Sequence, residues 1–103
     1  GMPDSIPYAA SKAAIAALSQ SLAQAVASRG IAVTAVAPGY VETDMGRLVL
    51  DGPDGEAIRQ QSPFHRVATP EEIAQAIVYL ASPSAEWASG AILDLNGASH
   101  LRM

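Results

Sequence analysis

The sequence of 103 residues contains no cysteine, which excludes disulfide bonds and thiolate metal ligands. Only 5% of its residues are aromatic, so a core built on large rings is excluded as well. No apolar run reaches the length of a membrane span, and no charged-then-apolar signal segment opens the chain. The basic residues are few and scattered, and the formal net charge is −4, which argues against a nucleic-acid surface. We therefore expect a cytoplasmic protein with neither a membrane nor a nucleic-acid partner.

Half of the residues are hydrophobic, and much of that half is alanine. Such a composition favours closely packed helices over a core of large side chains. A chain of this length is one small domain or a part of a larger one. His65 and His100 stand apart in the sequence with no second ligand at metal spacing, so no metal site is predicted.

Hydrophobic periodicity and helix-end signals predict two helices and two strands. The predicted elements are a helix over 9–29, a strand over 31–37, a loop excursion over 40–66, a helix over 70–82 and a strand over 91–95. Pro7 suits the first turn of the first helix, and Gly30 suits the position after its end. Thr69 and Glu72 have the spacing of a capping box at the start of the second helix.

The order of these elements predicts an α/β fold. The run 31–37 is short, β-branched and almost entirely apolar, which is typical of a strand buried on both faces in a parallel sheet. A strand, a helix and a second strand in succession form a crossover connection between parallel strands. Pro38 and Gly39 end the first strand, and loops at this end of a parallel strand are where open α/β sheets bind ligands.

Tyr8 and Lys12 form the most conspicuous pair of reactive side chains. They stand four residues apart, so on a helix they share one face and their ends can converge. Lys12 is the only lysine in the chain. A cation a few ångströms from a phenol stabilises the phenolate, which makes the two residues a plausible proton-transfer pair. From the spacing alone, a chance pair on a surface helix remains the alternative.

Four motifs occur in register along the chain. They are Tyr8-x-x-x-Lys12, the segment 38–43 (Pro-Gly-Tyr-Val-Glu-Thr), the segment 66–74 that opens the second helix, and the segment 89–97 that contains the last strand. Together they closely resemble the C-terminal part of a short-chain dehydrogenase/reductase. The resemblance implies part of a Rossmann-like, doubly wound parallel sheet that lacks the N-terminal βαβ dinucleotide-binding half. Thr34 departs from the asparagine that many members carry in this strand, and we expect that difference to affect packing only.

The resemblance also implies roles for individual residues. Tyr8 would be the general acid/base that exchanges a proton with an alcohol or ketone substrate during hydride transfer. Lys12 would stabilise its phenolate and hold the ribose hydroxyls of NAD or NADP. Four residues would lie along the nicotinamide through their backbone or side-chain groups, namely Pro38, Gly39, Val41 and Thr43. The segment from 44 to about 66 would be a substrate lid.

Some parts of such an enzyme are not among these residues. Only seven residues precede Tyr8 in this sequence. Neither the glycine-rich pyrophosphate turn nor the serine that polarises the substrate carbonyl is present among them. Ser5 is too close to Tyr8 to replace that serine. We therefore expect the isolated chain to bind NAD or NADP weakly and to be inactive. The alternative is a non-catalytic module for self-association or partner binding.

The same reasoning predicts a homodimer or a higher homo-oligomer. The strand 31–37 would have an open edge, and unpaired apolar edges favour pairing with another copy. The helix 9–29 resembles one that packs against a neighbouring subunit in this family. Either element is a predicted contact between copies of the chain.

Overall fold

The computed structural model describes residues 6–102. Its elements follow the order α1 (Ile6–Val26), a 3-10 turn (Ala27–Arg29), β1 (Ala35–Pro38), α2 (Asp44–Leu50), α3 (Gly55–Gln60), α4 (Pro70–Leu80), a 3-10 helix (Pro83–Ala88) and β2 (Ile92–Leu95). The lid-like excursion 40–66 therefore contains two short helices. The chain has a small parallel sheet with helices around it, as expected for part of an α/β fold.

The two strands pair in parallel, as the element order predicts. Ala35 lies opposite Ile92, and Pro38 lies opposite Leu95. Because parallel strands need a crossover connection, α2, α3 and α4 all lie between them in the sequence. The loops that follow both strands consequently meet at one edge of the sheet.

The strand β1 differs from its prediction in length and burial. It begins at Ala35, whereas the strand was predicted over 31–37. The backbone of Val33 is paired outside the ladder, because its N–H donates to Ser89 Oγ over 2.9 Å and its carbonyl accepts from the Gly90 N–H over 2.7 Å. The prediction of burial on both faces was also wrong. The first three strand residues are half-buried and Pro38 is exposed.

Helix α1 begins at Ile6, before the predicted start at residue 9, with Pro7 in its first turn. The last three residues of the predicted span form the 3-10 turn, which ends at Gly30 in the left-handed region (φ 74°). In that conformation the Gly30 N–H reaches the Ala27 carbonyl, which closes the helix end. Ala23 is the buried residue of α1, whereas Leu18 and other apolar side chains of the helix are exposed.

Helices α2 and α3 meet at a close corner. Leu50 at the end of α2 and Ile58 in α3 are both buried there. A Cβ at Gly55 would overlap the Leu50 carbonyl oxygen, so only glycine permits this approach between the helices.

Helix α4 starts as its sequence predicts, with a complete capping box. Thr69 Oγ1 accepts from the Glu72 N–H over 3.2 Å, and the Glu72 carboxylate accepts from the Thr69 N–H over 2.9 Å. The helix ends at Leu80, short of the predicted residue 82. None of the helices within residues 6–102 combines the length and apolar character that a membrane span requires.

Candidate active site

Tyr8 and Lys12 converge on the exposed face of α1, near its start. The Lys12 Nζ lies over the Tyr8 ring, 5.1 Å from the ring centroid. The helical repeat brings residues four apart onto one face, and the negative ring face attracts the ammonium. Tyr8 is 63% exposed, so its ring and hydroxyl are open to an incoming molecule. The pair that the spacing predicts is therefore formed within the chain.

The loop after β1 is held closely against the end of β2. The Gly39 N–H donates to the Leu95 carbonyl over 2.9 Å, which completes the pairing of Pro38 with Leu95. A Cβ at Gly39 would lie 3.0 Å from the Asn96 Cβ and 3.2 Å from its Cα. The Pro38-Gly39 step thus combines a proline that ends the ladder with a glycine that lets the two loops touch.

Val41 presents an unused backbone donor beside this loop. It forms an isolated parallel bridge with Ala68, made by bonds from the Ala68 N–H to the Tyr40 carbonyl and from the Glu42 N–H to the Ala68 carbonyl. In a parallel bridge the central residue points its own N–H away from the partner. Within residues 6–102 the Val41 N–H donates no hydrogen bond. It is therefore available to a ligand on the side opposite Ala68.

Thr43 combines a structural role with a free donor. Its Oγ1 caps α2 by accepting from the Gly46 N–H over 3.0 Å, and its own N–H donates to the Val41 carbonyl over 2.9 Å. A hydroxyl that accepts one bond can still donate its proton. The Val41 N–H and the Thr43 hydroxyl are thus two donors, two residues apart, on one turn.

Gly46 is a residue whose importance the sequence motif did not indicate. A Cβ at this position would overlap the Val41 carbonyl oxygen and lie 3.2 Å from Thr43 Oγ1. Glycine three residues after a threonine cap is the only signal for it in the sequence. Because its contact partners carry the two free donors, Gly46 fixes the geometry of this turn.

Ser89 is a second residue that sequence reasoning missed. Its hydroxyl accepts from the Val33 N–H, and the two residues are 56 positions apart in the chain. The side chain takes the place of a missing ladder bond between the segment before β1 and the segment before β2. Ser89 therefore supports the start of β1, at the end of the strand opposite to Pro38 and the turn that follows it.

A two-bonded ion pair joins Arg66 to the start of α4. Arg66 Nη1 and Nη2 lie 2.8 and 3.0 Å from the two carboxylate oxygens of Glu72. The hydrogen bonds from the Arg66 guanidinium, followed by the one from the Thr69 backbone, lower the pKa of Glu72 to about 2. The pKa of Arg66 is raised in turn by its hydrogen bond to Glu72. Glu72 thus remains ionised near neutral pH and ties the end of the segment 40–66 to α4.

The structure brings the predicted site residues together in two groups. Tyr8 and Lys12 form one group on α1, and Pro38, Gly39, Val41 and Thr43 form the other after β1. Between these groups residues 6–102 provide no direct hydrogen bond. The buried residue of α1 is Ala23, which lies toward the C-terminal end of the helix and faces Gly90. Across the same residues no cluster of three His, Asp or Glu could hold a metal ion.

Comparison with known proteins shows to which protein family the chain belongs. Residues 1–100 match the family model described as Enoyl-(Acyl carrier protein) reductase. The structure is also similar to a short-chain dehydrogenase/reductase of Brucella melitensis titled glucose/ribitol dehydrogenase, with a TM-score of 0.88 and 29% identity over 99% of this chain. The chain belongs to the short-chain dehydrogenase/reductase family. Its motifs and its parallel sheet both agree with this assignment.

Two further relatives show how much of the family's length the sequence covers. It is 43% identical over 94 residues to the 3-oxoacyl-[acyl-carrier-protein] reductase FabG of Vibrio harveyi, which is 91% of this chain and 38% of that protein. A short-chain dehydrogenase family protein of Francisella tularensis has a TM-score of 0.84 and 29% identity, covering 96% of this chain and 45% of that one. The Brucella protein is covered to 41% of its length. The chain thus spans less than half of these short-chain dehydrogenase/reductases.

The donor set after β1 fits one part of the cofactor that the family implies. A nicotinamide carboxamide offers a carbonyl oxygen that accepts hydrogen bonds and an amide group that donates them. The Val41 N–H, which has no partner in residues 6–102, and the Thr43 hydroxyl can satisfy such a group. Lys12, which is exposed, supplies a cation with three donors that suits ribose hydroxyls.

Proposed function

We propose that these residues are the C-terminal part of an NAD(P)-dependent oxidoreductase that interconverts an alcohol and a ketone. The observation that carries the proposal is the Lys12 ammonium over the Tyr8 ring. When bound, the nicotinamide would supply or accept the hydride. Tyr8 would deliver the proton to the substrate oxygen during reduction and remove it during oxidation.

Lys12 has two roles in this proposal. Its ammonium, 5.1 Å from the centroid of the Tyr8 ring, would hold that ring by its face and so position the proton-transferring hydroxyl. Its three N–H donors would hold the ribose hydroxyls at the same time, so that the sugar and the proton donor are positioned by one side chain. As the only lysine in the chain, it has no substitute among the residues of this sequence.

The turn after β1 would orient the nicotinamide ring. Gly39 holds the turn against Asn96, and the Val41 N–H and the Thr43 hydroxyl would bind the carboxamide. Two directional bonds to a planar group fix which face of the ring meets the substrate. Positioning of this kind accounts for much of the rate enhancement in a hydride transfer.

The lid would cover the substrate. Helix α2 exposes Met45 and Leu48 at 80% and 79%, and these apolar side chains are free to meet a hydrocarbon part of the alcohol or ketone. The ion pair between Arg66 and Glu72 anchors the far end of the lid. The lid would thus move between fixed ends, Thr43 at the start of α2 and Arg66 before α4.

The 103 residues alone would be inactive in this proposal. They include no glycine-rich turn for the pyrophosphate and no serine at the position that polarises the substrate carbonyl. Proton transfer contributes only about 10²–10⁴-fold to the rate of such a reaction. The remaining rate enhancement would be lost if the cofactor is held poorly. Activity would require the segment that precedes this region in the family.

Binding of nicotinamide mononucleotide tests the proposed cofactor contacts, because this molecule has no pyrophosphate. Titration of the ¹⁵N-labelled chain should shift the Val41 amide signal, and Lys12→Met should weaken the binding. Thr43→Ser keeps the hydroxyl and should bind as the unchanged chain does, whereas Thr43→Val should bind more weakly. Saturating binding that leaves the Val41 signal unmoved would contradict the assigned contacts.

Self-association is a further part of the proposal. Ile15, Leu18 and Leu22 lie on one side of α1 and are 60%, 66% and 44% exposed. A second copy would bury this stripe, and burial of apolar area stabilises by about 25 cal/mol per Å². Sedimentation should show a homodimer or larger species that Leu18→Arg disrupts. Gln20→Arg adds the same charge to another side of α1 and should not disrupt it, and a monomeric unchanged chain would exclude this part of the proposal.

The second candidate function is a non-catalytic module that uses the exposed apolar stripe of α1 to bind another copy of the chain or a different partner. The exposed apolar stripe of α1 favours it independently of Tyr8. The two functions are separated by Tyr8→Phe, which should lower catalysis once the chain is combined with an upstream half from a family member, but should leave association unchanged.

A further inference from the structure

A cavity of about 240 Å³ lies under the lid, between the loop 61–68, the start of α4 and the end of β2. Its apolar wall is formed by Tyr40, Ile58, Phe64, Ala68, Ile73 and Leu95. None of the residues proposed to contact the cofactor or to transfer a proton lines it. We refer to this space as the lid cavity.

The lid cavity lies on the other side of the turn from the proposed nicotinamide contacts. Side chains in extended backbone alternate between opposite faces. Tyr40 lines the cavity, whereas its neighbours Gly39 and Val41 do not. The turn 39–41 therefore separates two faces, and an occupant of the cavity would not take the place of a cofactor.

Three of the polar side chains at the cavity, those of Ser62, Arg66 and Glu72, are already hydrogen-bonded within the chain. Ser62, which is only 4% exposed, donates to the Gly97 carbonyl over 2.6 Å and accepts from the Phe64 N–H over 3.1 Å. Arg66 and Glu72 pair with each other through two bonds. An apolar occupant therefore leaves these three pairings intact, whereas a charged one would lose hydration against a wall that is mostly apolar.

The volume and the wall indicate the size and shape of the occupant. An apolar cavity of about 150 Å³ is large enough to hold benzene. The lid cavity is larger, and two aromatic rings border it, of which Tyr40 is 50% and Phe64 is 70% exposed. An aromatic occupant would bury these rings and contact them in edge or offset geometry, each contact adding stability beyond area burial.

We propose that the lid cavity binds a flat, uncharged aromatic molecule of two fused rings. This site is independent of the oxidoreductase proposal, because it depends on the walls of the cavity and not on Tyr8 or Lys12. Its occupant would reinforce the packing of the loop 61–68 against β2 and α4.

Titration of the 103-residue chain with indole tests the proposal. Indole should shift the methyl NMR signals of Ile58 and Ile73, and intermolecular nuclear Overhauser effects should join its ring protons to these methyls. Ala68→Leu fills the cavity and should weaken binding by at least about tenfold. Ala81→Leu makes the same change on an exposed residue after α4 and should leave binding unchanged.

Three results would overturn the proposal. The first is an unchanged chain whose Ile58 and Ile73 signals do not move with indole. The second is binding that persists at full strength in a folded Ala68→Leu variant. The third is a spectrum without dispersed signals, since the cavity exists only where the loop 61–68 is packed. The intermolecular contacts in the unchanged chain decide the question if Ala68→Leu fails to fold.

Discussion

The ammonium of Lys12 lies over the ring of Tyr8, 5.1 Å from its centroid, near the start of α1. The contact is with the face of the ring, so the tyrosine hydroxyl stays free for a substrate. The group that holds the two residues together is therefore different from the group that would react. The ring provides the attraction, and the hydroxyl provides the proton.

That separation makes Tyr8→Phe an informative substitution. Phenylalanine keeps the ring face for Lys12, so the stability of the chain should change by less than about 0.5 kcal/mol. When the chain is combined with an upstream half from a family member, ketone reduction should fall by about 10²–10⁴-fold. The absorbance of reduced nicotinamide follows the reaction. Equal rates for the two chains in the reconstituted enzyme would show that Tyr8 is not the acid/base.

Gly46→Ala should destabilise α2, although alanine is normally the better helix former. The added Cβ would overlap the Val41 carbonyl oxygen, and forced packing of this kind costs about 1–3 kcal/mol. The same shift would move the Val41 N–H and weaken nicotinamide mononucleotide binding. Met45→Ala, on an 80% exposed neighbour, is the matched control and should be nearly neutral in urea unfolding. Stabilisation by Gly46→Ala would show that the turn is not constrained as described.

Ser89→Ala should weaken the attachment between the segment before β1 and the segment before β2. The half-buried Val33 N–H would lose its acceptor, which costs about 1–3 kcal/mol. Hydrogen exchange at Val33 should accelerate, because its amide would no longer be held. Ser84→Ala removes the same hydroxyl from an exposed position and should alter neither quantity. An unchanged exchange rate at Val33 would argue against the hydrogen bond between Val33 and Ser89.

Glu72 makes stability depend on pH in the acid range. Its pKa is lowered to about 2 in the folded chain from an ordinary value of 4.5, so it stabilises fully above about pH 4.5. That contribution is lost as the pH falls from 4.5 through 2, because the unfolded chain then binds the proton more readily. Glu72→Gln should make the free energy of unfolding depend less steeply on pH in this window. The reduction in slope should correspond to a difference of up to about one bound proton between the unfolded and folded chains.

The neighbouring Glu71 provides the control for this titration. It lies in the same first turn of α4, so Glu71→Gln removes the same charge without removing the bonds to Arg66 and Thr69. Between pH 2 and 4.5 the free energy of unfolding of Glu71→Gln should change with pH as steeply as that of the unchanged chain. Equal slopes for Glu72→Gln and the unchanged chain, measured by urea unfolding at each pH, would refute the role of the pair.

Local features of this protein were predictable from the sequence because they depend on short spacings. The four-residue interval from Tyr8 to Lys12 places both on one helical face, and the three-residue interval from Thr69 to Glu72 builds the capping box. The alternation of apolar runs with a helix likewise indicated parallel strands. Each of these relationships is decided by backbone geometry within a few residues.

Only the tertiary structure decided the features that join distant parts of the chain. The first strand starts at Ala35 because Ser89 takes over the pairing of Val33, a contact across 56 positions that no local pattern indicates. Gly39 is required by the approach of Asn96, which depends on the register between β1 and β2. The lid cavity arises in the same way, from packing between elements far apart in the sequence. Spacing fixed which side chains could meet along one helix, whereas packing fixed which segments meet across the fold.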